Sequence, residues 1–300
     1  MRRTFAAIAG AAILLTLAAT TVQAQVLFWA NQAVPVEEAQ KMREKVLTNF
    51  PGGADFQPQD PGPFITRIQA ERDAGSGQIG VVGALYGDLA SFSDYWMDLS
   101  DVDLSGVKPS PAFMDLGKLG TGEQKFLPWM QATYVMVANK QALPFLPEGA
   151  DINALTYDQV VAWAKNMAEQ TGSPKFGFPA GPKGLKHRFF QGFLLPAFTG
   201  SEVTKFRSPE AETAWNTFKE LWKYTNPAST NYDFMQEPLL NGDVWLAFDH
   251  IARLAEAFNQ KPDDFVAFPA PAGPKGRAFM PVLAGLAIPR TRPMQPSPRR

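Results

Sequence analysis

Asp249, His250 and Arg253 follow directly on Val244-Trp245-Leu246-Ala247-Phe248, an apolar run rich in branched and aromatic side chains. Such a run reads as a buried parallel strand. Asp249 then stands where a helix N-cap belongs, and Ile251, Leu254, Ala255 and Phe258 keep helical spacing as far as Lys261-Pro262. A strand that turns straight into a helix puts these three polar residues at the carboxyl edge of a sheet, where open α/β folds bind ligands. Asn31 and Gln32 reach the same edge after residues 26–29, and Tyr86 and Asp88 after residues 79–85. Trp129 and Gln131 precede a further strand, and His187 and Arg188 open an apolar helical stretch. Amides, carboxylates, guanidinium groups and aromatic faces are the groups that hydrogen-bond vicinal hydroxyls and stack on the apolar side of a sugar ring. The chemistry this set suits is binding.

Each of these residues also has a plainer role. Asp249 fits a simple N-cap, His250 a surface residue, Arg253 a partner of Glu256 or Asp249, and Trp129 an ordinary core residue. Trp215 and Trp222 sit at helical spacing among Ala214, Phe218 and Leu221 and read as core. Lys183 and Lys186 lie about Gly181 and Gly184 without a phosphate-loop pattern, which makes that stretch a surface loop. Glycoside hydrolysis needs two carboxylates facing each other, and Asp88 with Asp249 is the pair that would be cast. Nothing in their spacing pairs them. There is no Gly-x-Ser-x-Gly elbow, and the two histidines do not cluster as metal ligands do. A binding protein, not an enzyme, with no cofactor and no metal, is the expectation.

The elements that must position these residues follow in order. Residues 26–29 read as a first strand, and Pro35 opens a helix with Val36, Ala39, Met42, Val46 and Leu47 inside, broken at Gly52-Gly53. Residues 54–58 form an edge strand. Asp60-Pro61 starts a helix carrying Phe64, Ile65 and Ile68, and residues 79–85 form a third strand. This βαβαβ order predicts a parallel, doubly wound sheet with right-handed crossovers. Residues 91–121, with Pro109 and Pro111, read as loop, and Pro128-Trp129 leads into the strand 134–138, the hinge candidate. Thr156 and Gln159 form a capping box for a helix ended by Gly172. Residues 175–179 read as a short strand, and Ser208-Pro209 starts a helix closed by Asn226-Pro227. Residues 265–268 and 279–289 read as strands on either side of a turn at 271–276.

Composition excludes several classes. The chain has 300 residues, 45% hydrophobic and 19% charged, which is ordinary for a globular protein with a sizeable core. A formal net charge of −1 provides no basic field for nucleic acid or an anionic membrane. Residues 1–24 read as a secretory signal peptide. Arg2 and Arg3 are its charged start, residues 5–19 its apolar middle, and Val22-Gln23-Ala24 its cleavage signal. Arg2-Arg3-Thr4-Phe5 matches a twin-arginine signal in part, so the general secretory route is favoured. No later run is long enough to span a bilayer. Export with no cysteine means no disulfide and no lipid-anchoring thiol, and a soluble monomer in the periplasm is expected.

Several segments carry a resemblance. They are Phe28-Trp29-Ala30, Leu127-Pro128-Trp129 with Tyr134 and Asn139-Lys140, and Leu155-Thr156-Tyr157-Asp158 running into Trp163-Ala164-Lys165. Leu240-Asn241-Gly242-Asp243 leads on through Asp249, and the series closes at Phe268-Pro269-Ala270-Pro271 and residues 281–289. Their order and spacing, over about residues 26–291, resemble the sugar-type solute-binding proteins of ABC importers, the family that includes maltose-binding protein. The resemblance implies an α/β, two-lobed periplasmic binding protein fold, each lobe a mainly parallel sheet flanked by helices. Residues 25–133 would begin lobe 1, 134–280 form lobe 2, and 281–291 return a strand to lobe 1. It also implies a receptor that captures a carbohydrate or polyol between the lobes and hands it to a membrane permease. A non-transporting sugar-sensing module is the alternative. Family members continue with further helices where residues 292–300 form a Pro/Arg-rich tail, so the last helices are expected to be missing, the chain truncated and the tail disordered.

Overall fold

The computed structural model describes residues 25–33, 36–201 and 204–292. Residues 1–24, read above as a signal peptide, Pro35 and the residues from 293 on lie outside the described residues.

The first half lays down β1 (Val26–Ala30), α1 (Val36–Lys41), β2 (Ala54–Pro58), α2 (Pro61–Ala74), β3 (Ile79–Leu85) and α3 (Tyr86–Ala90). A short α4 (Pro111–Leu116) interrupts the region read as loop. That region is packed rather than loose, because Phe92, Tyr95, Trp96 and Leu99 are all buried. Then come β4 (Leu127–Ala132) and β5 (Tyr134–Asn139), with Thr133 alone between them. The second half holds α5 (Tyr157–Thr171), β6 (Phe176–Gly177), α6 (Lys186–Phe189), α7 (Leu195–Thr199), α8 (Pro209–Lys223) and α9 (Gln236–Asn241). It closes with β7 (Leu246–His250), α10 (Ala255–Gln260), β8 (Phe265–Phe268), the small hairpin β9 (Ala272–Gly273) and β10 (Gly276–Arg277), and β11 (Val282–Ala287).

These strands make two main sheets. One has the order β2-β1-β3-β11-β4 and the other β6-β7-β5-β8. The opening βαβαβ unit is parallel as its sequence predicts, with β1 between β2 and β3. Both sheets are nevertheless mixed rather than mainly parallel: β11 runs antiparallel to β3 and β4, and β5 antiparallel to β7 and β8. The chain crosses between the sheets by direct strand continuation, and a strand entering beside the one that leaves must run against it.

Each sheet has its own core on both faces. On β1, Phe28 turns to Ala39 and Phe56, while Trp29 turns to Phe64 and Ile68. In the second lobe α5, α8 and the 186–199 segment cover one face, around Met136, Trp163, Phe189, Phe193 and Phe248. Helices α9 and α10 cover the other, around Val137, Met235, Leu239 and Ala247. The Thr156–Gln159 capping box forms in both directions, and Ser208 accepts from the Ala211 amide at 3.1 Å, so both helix starts are set by the residues that signal them. Trp215 and Trp222 are not core: they are 46% and 37% exposed. The buried stripe of α8 is Ala211, Ala214 and Leu221, and the two indoles flank it against Phe190 and Phe178. Among the described residues no helix is long and apolar enough to cross a membrane.

Candidate functional site

Two strands pass between the sheets side by side. Thr133 joins β4 to β5, and Met280-Pro281 leads into β11, whose Val282 pairs with Ala132. The Thr133 hydroxyl donates to the Met280 carbonyl at 3.3 Å and ties the two crossings together. Directly over this crossing lies a cavity of about 360 Å³, and an adjoining one of about 320 Å³ shares Leu85, Tyr134, Arg188 and Val282 with it. Together they form one cleft between the lobes.

From the first lobe the cleft receives Asn31 and Gln32 at the end of β1, and Tyr86 and Asp88 in the short helix after β3. These are the carboxyl ends of parallel strands, as the sequence pattern requires. The Asn31 side-chain N–H donates to the Asp88 carboxylate, while its amide oxygen is buried without a partner among the described residues. Burial pushes the Asp88 carboxyl above its ordinary range, partly offset by the Asn31 bond.

From the second lobe come Arg188 in α6, and His250 and Arg253 at the end of β7. His250, not Asp249, caps the turn that follows: its Nδ1 accepts from the Ala252 amide at 3.2 Å. Burial and the nearby Arg253 push the imidazole down to about 4, so it is neutral and free to accept that bond. Arg253 donates to the Asp233 carbonyl at 2.9 Å and lies over the Phe234 ring at 4.4 Å. Tyr134, the first residue of β5, lies within electrostatic reach of both arginines, with its ring stacked on Phe248. Its hydroxyl is pushed up by burial, and Arg188 and Arg253 offset part of that.

Four sequence expectations for the site are corrected. Asp249 is fully buried, and its carboxylate accepts from the Met235 amide at 2.8 Å and the His250 amide at 2.7 Å. The strand runs two residues further than its apolar run, so Asp249 became an interior strand residue instead of an N-cap. Trp129 lines neither cavity. It occupies an irregularity in the β4–β11 register and packs against Phe28 with ring centroids 5.6 Å apart. Gln131 is exposed and donates to the Ala132 carbonyl, whereas its neighbours Met130 and Ala132 face the cleft, as strand alternation dictates. His187 is exposed one helical step from Arg188 and borders neither cavity. With Asp249 withdrawn, the Asp88–Asp249 pair that hydrolysis would need is not assembled.

Sequence reasoning missed Tyr134, Glu38 and the apolar wall of Leu85, Met130, Val282 and Ala284. Tyr134 carried a signal, as an aromatic residue opening the crossing strand. Glu38 carried none, since α1 reads as an ordinary amphipathic helix whose exposed face happens to reach the cleft.

The model of the bacterial extracellular solute-binding proteins matches residues 52–294, and the chain belongs to that family. No curated protein matches by sequence. Among solved structures, maltose-bound MalE3 of T. maritima is 19% identical, with a TM-score of 0.72 over 90% of this chain and 73% of that one. The GacH receptor of Streptomyces glaucescens, solved unliganded and with acarbose, is 15% identical, with a TM-score of 0.71 over 89% and 71%. UgpB from Mycobacterium tuberculosis, in complex with glycerophosphocholine, is 20% identical, with a TM-score of 0.68 over 89% and 70%. The two-lobed fold of these receptors is the fold of this chain.

Proposed function

We propose that this protein is a periplasmic receptor that captures a carbohydrate or polyol between its lobes and delivers it to an ABC import permease. One observation carries the reading. Asn31, Gln32 and Asp88 of one lobe and Tyr134, Arg188, His250 and Arg253 of the other border a single cleft over a two-strand hinge. A ligand that contacts both walls favours the closed form by the difference in those contacts, and a closed form is what a permease can read. The orphan Asn31 oxygen supports a hydroxyl-bearing ligand, because a buried acceptor without a donor is costly until one arrives. Of the residues first expected to bind, Asn31, Gln32, Tyr86, Asp88, Arg188, His250 and Arg253 are retained as ligand residues, with Tyr134 added.

Thermal unfolding of the purified exported chain against a panel of sugars and polyols tests this. A ligand at a hundred times its Kd stabilises the native state by about 2.7 kcal/mol, a shift of several degrees. A cooperative transition that no member of the panel moves would overturn the reading.

A further inference from the structure

The cleft has a charge arrangement that a neutral sugar does not require. Arg188 and Arg253 both border it, close enough together that both act on the same two side chains, His187 and Tyr134. Neither has a carboxylate within 4.0 Å among the described residues, where every ion pair lies elsewhere. Both arginine residues are partly buried, and Leu85, Met130 and Val282 give the same cavity an aliphatic wall. The arginines' neutral contacts, the Asp233 carbonyl and Phe234 ring for Arg253 and the Tyr134 hydroxyl for Arg188, leave the charges without an anionic partner, and an incoming anion supplies one.

No acid of the cleft lies within ion-pairing distance of Arg188 or Arg253 among the described residues. Glu38 and Asp88 both belong to the first lobe, and burial shifts both towards their neutral forms. Asp88 is in addition already bonded to Asn31. Asp249, next to Arg253, is held by two backbone amides. Aromatic stacking, the usual partner of a neutral pyranose face, is weakly provided. No tryptophan borders either cavity among the described residues, and Tyr134 is buried, stacked on Phe248 with His250 at its edge, which leaves Tyr86 to present an exposed ring.

We propose that the captured solute carries an anionic group, a carboxylate or a phosphate ester, gripped between Arg188 and Arg253. Its uncharged part lies on Leu85, Met130 and Val282, and one hydroxyl donates to Asn31. The guanidinium fork suits both anions, since each offers two coplanar or near-coplanar oxygens for bidentate bonds. This rests on the receptor reading above.

Titration calorimetry of the exported chain with matched probes separates the two ideas. The probes are a hexose 6-phosphate, glycerol 3-phosphate, a hexuronate, inorganic phosphate, and the neutral hexose and glycerol. The anionic members are expected to bind roughly tenfold or more tighter than their neutral counterparts, as charge-assisted bonds imply. That preference should shrink as salt is raised and should fall by about the same factor in Arg188→Met. Arg253 also holds the Asp233 carbonyl, so Arg253→Lys is the second variant, keeping the charge but losing the fork. Phosphate esters binding without the uronate, or the reverse, identifies which anion the fork takes. A neutral hexose or glycerol binding as tightly as its charged analogue, unaffected by Arg188→Met, would overturn the anionic assignment and leave the receptor intact. No binding by any probe would overturn both.

Discussion

Two neighbouring residues at the end of β7 titrate in opposite senses. Burial raises the Asp249 carboxyl to about 7, so the folded state holds a proton that the unfolded chain releases near 3.8. Stability from this group is present at low pH and is lost as pH rises between those values, at up to about 1.4 kcal/mol per pH unit. His250 is lowered to about 4 from 6.5, so its contribution is present above 6.5 and is lost as pH falls towards 4. Between pH 4 and 6.5 the two slopes oppose each other, and the wild-type melting temperature is expected to be nearly flat there. His250→Asn keeps an oxygen able to cap the Ala252 amide and removes one slope. Its melting temperature should therefore fall steadily as pH rises from about 4 to 7. Melting curves at half-unit pH intervals decide it; a variant as flat as wild type would show that Asp249 is not buried in its protonated form.

At the scale of elements, helix starts and strand order were legible and strand parity was not. Thr156, Gln159 and Ser208 cap the helices their types announce, because a cap is a local bond between residues close in sequence. The parallel opening was equally readable from its alternation of apolar runs and helical spacing. Trp129 and Gln131 were misread because which face of β4 meets the cleft depends on its register with β11, some 150 residues away, and that register is irregular at Trp129. Asp249 was misplaced because the end of β7 is set by its pairing with β5, where Asp249 lies opposite Val135. Gly285, in the middle strand of three, stands at that irregularity. A Cβ there would overlap the ring of Phe126, which is fully buried and has no room to yield. Gly285→Ala is expected to cost about 1–3 kcal/mol, measured by denaturant unfolding, with an unchanged m-value. A cost near zero would mean that β4 can slide past β11.

At the scale of the whole molecule, function depends on two lobes that keep separate cores and share two strands. In the proposed receptor, apolar packing within each sheet stiffens the lobes, and closure is expected to concentrate at Thr133 and at Met280-Pro281. Pro281 fixes its own φ and restricts the residue before it, which narrows the range of angles at the second crossing. Pro281→Gly releases both restrictions and leaves the polar side chains of the cleft in place, removing only its own ring from the border of the smaller cavity. The ligand-free variant should then sample a wider spread of lobe separations, and more of the binding energy should go into closing it. Affinity should weaken several-fold, in proportion to the lost fraction of closable molecules. The chain has no native cysteine, so Asp73→Cys on α2 and Gln170→Cys on α5, both exposed, accept a pair of fluorophores selectively. Energy transfer between them should rise on ligand binding in the wild-type background, and its distribution should broaden in Pro281→Gly before ligand is added. Ligand binding that leaves the transfer unchanged would mean that the lobes do not close, and the cleft would then be a static pocket rather than a signal to a permease.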